Sequence, residues 1–226
     1  MGHTAKLASR RTNVDEVFET LHHDIVTLKL MPGTKMSEVE VASQFAVSRQ
    51  PVRDAFARLD NLGLLLIRPQ KATVVRKFSA FEISNARFVR TAIEVEVLRT
   101  AIVRWPDLDT SEIRGNIALQ QQAVEAQNAD RFHELDYQFH KLLCSASSFD
   151  LAFETIAEMK SKVDRLCLLS LEESAELEVL LEDHKSIIAA LDAKDFPTLE
   201  AVIRTHLARL NATVEKVQRE HSEYFE

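Results

Sequence analysis

The sequence predicts a mainly α-helical protein in two parts: a small N-terminal unit of three helices and a hairpin, then a larger all-α bundle. Three observations carry that expectation. Apolar residues recur at helical spacing along most of the chain. Only 4 glycines and 5 prolines in 226 residues leave few places to break a helix. Strand-like runs are confined to residues 64–76. The hydrophobic content of 46% and charged content of 28% are those of an ordinary globular chain. The longest uncharged apolar run, Leu62 to Ile67, is too short to span a bilayer. Residues 1–11 are basic with no apolar stretch behind them, unlike a secretory signal. Cys144 and Cys167 show no pairing spacing and read as reduced thiols, so a cytoplasmic location is expected.

Charge is segregated. Residues 1–78 hold 12 Lys and Arg against 8 Asp and Glu, a balance of +4 within a chain of net charge −7. A basic unit joined to an acidic one points to an anionic partner for the first unit alone. The expected boundary puts that unit at 1–78 and the second at 79–226.

Asn13 is placed to cap a helix through Val14, Val17, Phe18, Leu21, Ile25 and Leu28, which Pro32-Gly33 ends. Ser37 and Glu40 have capping-box spacing before a short helix, Glu38 to Phe45. Ser48 is a second cap, before a helix from Arg49 to about Asn61 with Pro51 in its first turn. Gly63 ends it, and strand-like runs follow at Leu64–Arg68 and Thr73–Arg76. Three helices and a hairpin of this kind describe a winged helix-turn-helix. Its third helix buries Val52, Phe56 and Leu59 and turns Arg49, Gln50 and Arg53 outward near its N-terminus, the part that enters a DNA major groove. Arginine can bind guanine bidentately and glutamine can bind adenine. Lys71, at the hairpin tip, is placed for a phosphate or the minor groove.

From Leu30 to Val75 the segments MPG, SEVEVASQFAVSRQPVRDAFARLDNLGLL and IRPQKATVV resemble the GntR family of bacterial repressors. The resemblance implies contact with double-stranded operator DNA through Arg49, Gln50 and Arg53, supported by Ser48 and Lys71. The family usually has a small hydroxyl residue where Gln50 stands and Gly where Ala72 stands. A single helix reads only a few base pairs, so a homodimer on an inverted repeat is expected.

Beyond residue 79 the chain reads as successive helices. Ser79 and Glu82 form a capping box for one that runs to Trp105, before Pro106. Asp109 to Glu112 caps the next, to about Gln127, and Asp130 starts a third reaching Ala146. Others are expected over Asp150–Leu171, Leu177–Ala193 and Pro197–Phe225, about six in all. Asp136 and His140, four apart, project from one helix face. His184 interrupts the stripe Leu180, Leu181, Ile187, Ile188, and His206 interrupts Leu199, Ile203, Leu210. Each alone suits a hydrogen-bonded core residue. Together, one carboxylate and three imidazoles suit a divalent transition ion, with zinc or nickel the choice the ligand types suggest.

The segments DYQFH, EDHKSIIAAL and RTHLARL resemble the FCD effector domain of the FadR subfamily, in which such residues hold a metal. That implies Asp136, His140, His184 and His206 as ligands. Arg90 and Glu94 interrupt another stripe, and a salt bridge within one helix explains them simply. The resemblance implies instead that Arg90 lines an effector pocket for a small carboxylate, with Glu94 beside it and Arg165 a second cation. A metal-dependent helical hydrolase is the competing class. It needs an adjacent His-Asp pair among the ligands, and the pair present, His23-Asp24, falls in the first helix. A metal sensor, with the ion itself as signal, is the third reading.

Overall fold

The computed structural model describes residues 12–167 and 174–226, without the side chains of 161, 162, 164, 167, 174 and 175. The leading segment 1–11, the end of the helix expected to reach Leu171, and the Cys167 side chain lie outside the described residues. The chain divides into two compact units, residues 1–78 with Glu223–Glu226, and Ser79–Ser222.

In the first unit, α1 (Asn13–Val26) is capped by Thr12, one residue earlier than expected. The Thr12 hydroxyl accepts the Asp15 N–H at 3.2 Å, and the Asp15 carboxylate accepts the Thr12 N–H at 3.2 Å. Helices α2 (Glu38–Gln44) and α3 (Arg49–Asn61) follow, and α3 packs on α1. Ser37 and Ser48 are their N-caps, yet neither makes the side-chain cap bond anticipated for it. Gly63, at φ +70°, takes the left-handed turn that leads from α3 into the wing. The wing is a three-stranded antiparallel sheet, β1 (Lys35–Met36), β2 (Leu65–Leu66) and β3 (Thr73–Val75), in the order β1-β3-β2. Val74 of β3 pairs with Lys35 on one side and Leu66 on the other. Val17, Ile25, Val52, Phe56 and Leu59 form a core with at most 1% exposure. Burying each contributes about 1.5–3 kcal/mol before entropy is charged. The last residues return to this unit. Phe78 N–H donates to the Tyr224 carbonyl at 2.8 Å, Glu226 N–H donates to the Phe78 carbonyl at 3.0 Å, and the Phe78 and Phe225 rings lie 5.5 Å apart.

The second unit is a bundle of seven α-helices among the described residues: α4 (Ala80–Arg104), α5 (Ser111–Glu125), α6 (Ala129–Ser147), α7 (Asp150–Cys167), α8 (Ser174–Ala193), α9 (Phe196–Ala208) and α10 (Leu210–Glu220). The Ser79 hydroxyl caps α4, accepting the Glu82 N–H. Asn128 caps α6, and Asp195 caps α9 just before Pro197. The long final helix expected from Pro197 onward is instead two. At Arg209 the backbone keeps helical angles (φ −58°, ψ −33°), but its N–H reaches only the His206 carbonyl, a tighter turn than an α-helix makes, while its guanidinium pairs with Asp183. The core joins Val95, Leu98, Phe139, Leu143, Ile187, Leu191, Leu199 and Ile203 from α4, α6, α8 and α9. That arrangement brings the inward faces of α6, α8 and α9 to one point.

Candidate metal centre and nucleic-acid interface

Asp136, His140, His184 and His206 converge, each buried, with one donor atom apiece lying within 4.8 Å of all the others. His206 Nε2 is 3.3 Å from His140 Nε2. Asp136 Oδ1 is 3.6 Å from His140 Nε2 and 3.4 Å from His184 Nε2.

Each imidazole is held from behind by its other nitrogen. His140 Nδ1 lies 2.7 Å from Glu94 Oε2 on α4. His206 Nδ1 lies 3.4 Å from Asp183 Oδ2 on α8, and Arg209 grips that carboxylate with two N–H donors, at 2.5 and 2.8 Å. His184 Nδ1 lies 2.7 Å from Gln120 Oε1 on α5. Gln120 donates to Asn116 Oδ1 at 2.7 Å, and Asn116 donates to the Leu135 backbone carbonyl at 3.1 Å. A carbonyl can only accept, so the direction of this chain is set: Asn116 donates, Gln120 donates, and Gln120 Oε1 is left to accept the His184 Nδ1–H. The lone pair of His184 therefore sits on Nε2, which is buried and makes no hydrogen bond. Burial pushes the His184 imidazole down to about 4, leaving it neutral at pH 7. Burial opposes charge on Asp136, yet the Lys160 ammonium, 3.6 Å from Oδ2, and the flanking imidazoles hold its carboxyl well below the usual range. Burial is the largest influence on His140 and lowers it, but the Glu94 and Asp136 carboxylates together raise the imidazole above its usual value. Three inward Nε2 atoms and a charged carboxylate oxygen are the donor set of a divalent transition ion. The residues fit such an ion.

A cavity of about 430 Å³ opens on this cluster, with Asp136 and His206 in its wall beside Arg90, Arg87, Lys160 and Arg209. Glu94 is outside that lining. It is buried behind His140 and ion-paired to Arg90 Nε at 2.5 Å, so Glu94 and Arg90, adjacent in sequence logic, face different tasks. Arg165 is buried elsewhere on α7, its guanidinium pushed down to about 10 by burial. Sequence reasoning missed Lys160, Gln120 and Asp183. Lys160 follows Phe153 and Ile156 on the buried face of α7, and Asn116 and Gln120 interrupt the buried face of α5 between Ile113 and Ala123, so the stripe interruptions were there to be seen.

In the first unit, Arg49, Gln50 and Arg53 are exposed on the first two turns of α3, opposite the buried Val52, Ala55, Phe56 and Leu59. Glu38 of α2 accepts from both arginines, from Arg49 at 3.0 Å and Arg53 at 3.1 Å, while Gln50 donates to Asp54 at 2.9 Å. Ser48 is exposed at the N-cap, and Lys71 is exposed in the β2–β3 turn. His23 and Asp24 lie on α1, in the unit that lacks the cluster. No helix among the described residues is long and apolar enough to cross a membrane.

Residues 13–75 match the bacterial regulatory proteins of the gntR family, and residues 86–209 match the FCD domain. The HTH-type transcriptional repressor RspR of Escherichia coli (strain K12) is 37% identical over 210 residues, covering 93% of this chain and 92% of that protein. A probable D-xylose utilization operon transcriptional repressor of Paenarthrobacter nicotinovorans is 27% identical over 212 residues, 92% of this chain and 91% of its own. Among solved structures, E. coli McbR/YncC aligns with a TM-score of 0.69 at 21% identity, covering 92% of this chain and 99% of that one, a likeness of fold. The chain belongs to the GntR family of bacterial regulators, with an FCD domain behind its DNA-binding unit, and is a transcriptional regulator rather than an enzyme.

Proposed function

We propose that this chain is a cytoplasmic, metabolite-responsive repressor that binds an inverted-repeat operator as a homodimer and holds a divalent ion, zinc or nickel, beside a pocket for a small carboxylate. The observation that carries this reading is the inward convergence of three Nε2 atoms and Asp136 Oδ1, each imidazole braced through Nδ1 by a separate helix. Asp136, His140, His184 and His206 hold the ion. Bound there, it supplies a positive charge and an open coordination position for an acid's oxygen. Arg90, in the wall of the same cavity, offers a planar fork that orients a carboxylate. Arg165 is buried outside that lining. On the reader, Arg49, Gln50 and Arg53 face base edges, while Ser48 and Lys71 face phosphates.

Binding of the acid changes operator affinity only if it favours one arrangement of the two readers over the other. The test is elemental analysis of purified protein with operator-binding measurements on wild type, His184→Ala and Arg90→Ala. The reading expects about one ion per chain in the wild type. It also expects loss of the ion in His184→Ala, and an acid response lost in both variants with operator binding kept. No metal after incubation with zinc and nickel at neutral pH overturns it. If the ion alone, without any acid, switches operator binding, the ion is the signal.

A further inference from the structure

The cavity beside the cluster is not uniformly polar, and its pattern along the helices constrains what fills it. Near the cluster its wall carries Asp136, His206, Arg90 and Lys160. Moving away from His184 along α8, Leu180 and Val179 replace polar residues, and Leu207 and Leu210 do so beyond His206. Met159 and Val163 of α7 close the same girdle. Polar residues surround this girdle: Arg87, His133 and Arg209 about one helical turn from the cluster, and Glu176 and Thr213 about two turns from it. Among the described lining residues, Thr213 supplies the one hydroxyl, and no asparagine, glutamine, serine or tyrosine is present.

We infer that the effector is a monocarboxylic acid with an apolar body, aliphatic or aromatic, its head at Arg90, Lys160 and the ion and its body in the Leu180–Leu207–Leu210 girdle. This deepens the carboxylate reading above and rests on it. Two physical arguments lead there. A polyhydroxylated acid entering this cavity gives up water at each hydroxyl that lies against Met159, Val163, Val179, Leu180, Leu207 or Leu210, and those side chains offer no hydrogen bond to replace it. An apolar body, by contrast, gains for each methylene removed from water. The volume of about 430 Å³ lies in the range of small-molecule sites and exceeds what a two- or three-carbon acid fills.

The experiment is calorimetry on full-length, zinc- or nickel-loaded protein with acetate, butanoate, hexanoate and octanoate, and with gluconate as a six-carbon polyhydroxy acid. The expected result is a rise of about threefold to fourfold in affinity per methylene, on the order of 100-fold from acetate to hexanoate, with gluconate no tighter than acetate. Val179→Asn, at a position already 40% exposed and so tolerant of a polar side chain, and Leu180→Asn flatten that dependence, so that hexanoate gains little over acetate. Gluconate binding more tightly than hexanoate overturns the inference. So does an affinity independent of chain length, while leaving the carboxylate reading in place because acetate still binds. Binding of none of these acids to the loaded protein removes both.

Discussion

Glu94→Gln separates charge from shape at the back of the cluster. The substitution keeps the size of the side chain and an oxygen for His140, but leaves Arg90 without its carboxylate partner, 2.5 Å away and 14% exposed. Burial favours the neutral acid, yet Arg90 and His140 together lower the Glu94 carboxyl from 4.5 to about 2. At 1.36 kcal/mol per tenfold change, that drop corresponds to ~3 kcal/mol of stability from this one ionised group. The sign follows from the direction. A depressed carboxyl stabilises the fold fully above its unfolded value near 4.5, and the contribution fades as pH falls toward 2. Breaking a buried pair by removing one partner gives a similar 3–5 kcal/mol in general experience. Urea unfolding of metal-free protein at pH 7 checks it. The expected outcome is ~3 kcal/mol lost in Glu94→Gln, with the gap to wild type closing as the pH is lowered through 4. In parallel, metal affinity falls about 10- to 100-fold, the usual cost of removing a group that orients a ligating histidine. Wild-type stability at pH 7 in the variant refutes the assignment of Glu94 as a buried, ionised brace.

Three further outcomes follow from the geometry. Arg53→Ala costs about 1–3 kcal/mol on the operator by gel shift, with little effect on random DNA beyond one phosphate-equivalent charge. Glu38→Gln, which removes the carboxylate shared by Arg49 and Arg53, raises affinity for random-sequence DNA and steepens its salt dependence by about one charge, read by fluorescence anisotropy across salt concentrations. Phe139→Ala, at a fully buried position packed against the His140 and His184 rings, destabilises the bundle by about 3–5 kcal/mol in chemical denaturation and lowers metal content with it.

Much of this was legible in the sequence because local periodicity carries it. The four-residue spacing of Asp136 and His140 survives into the structure because a helix puts such residues on one face whatever surrounds it. The cap at Ser79 is likewise local. What escaped is what packing decides. β1 is two residues long and exists only because Lys35 meets Val74 across the sheet. The interruption at Arg209 falls at a good helix former, so no local signal announces it. Gln120 and Asp183 brace their histidines across helix boundaries, so no spacing within a segment announces the pairing. Glu94 was visible as an interruption of a stripe, but its partner was not: a carboxylate beside Arg90 in sequence turned out to serve His140 as well.

The pairing of Phe78 with Tyr224 and Glu226 makes the bundle, in chain topology, an insertion into the DNA-binding unit rather than an appendage after it. Exchanging sensor modules between family members at a single seam after residue 78 would therefore graft a foreign tail onto Phe78. A working chimera needs two seams, one before Ser79 and one after Ser222, so that the last four residues travel with the reader whose backbone they complete.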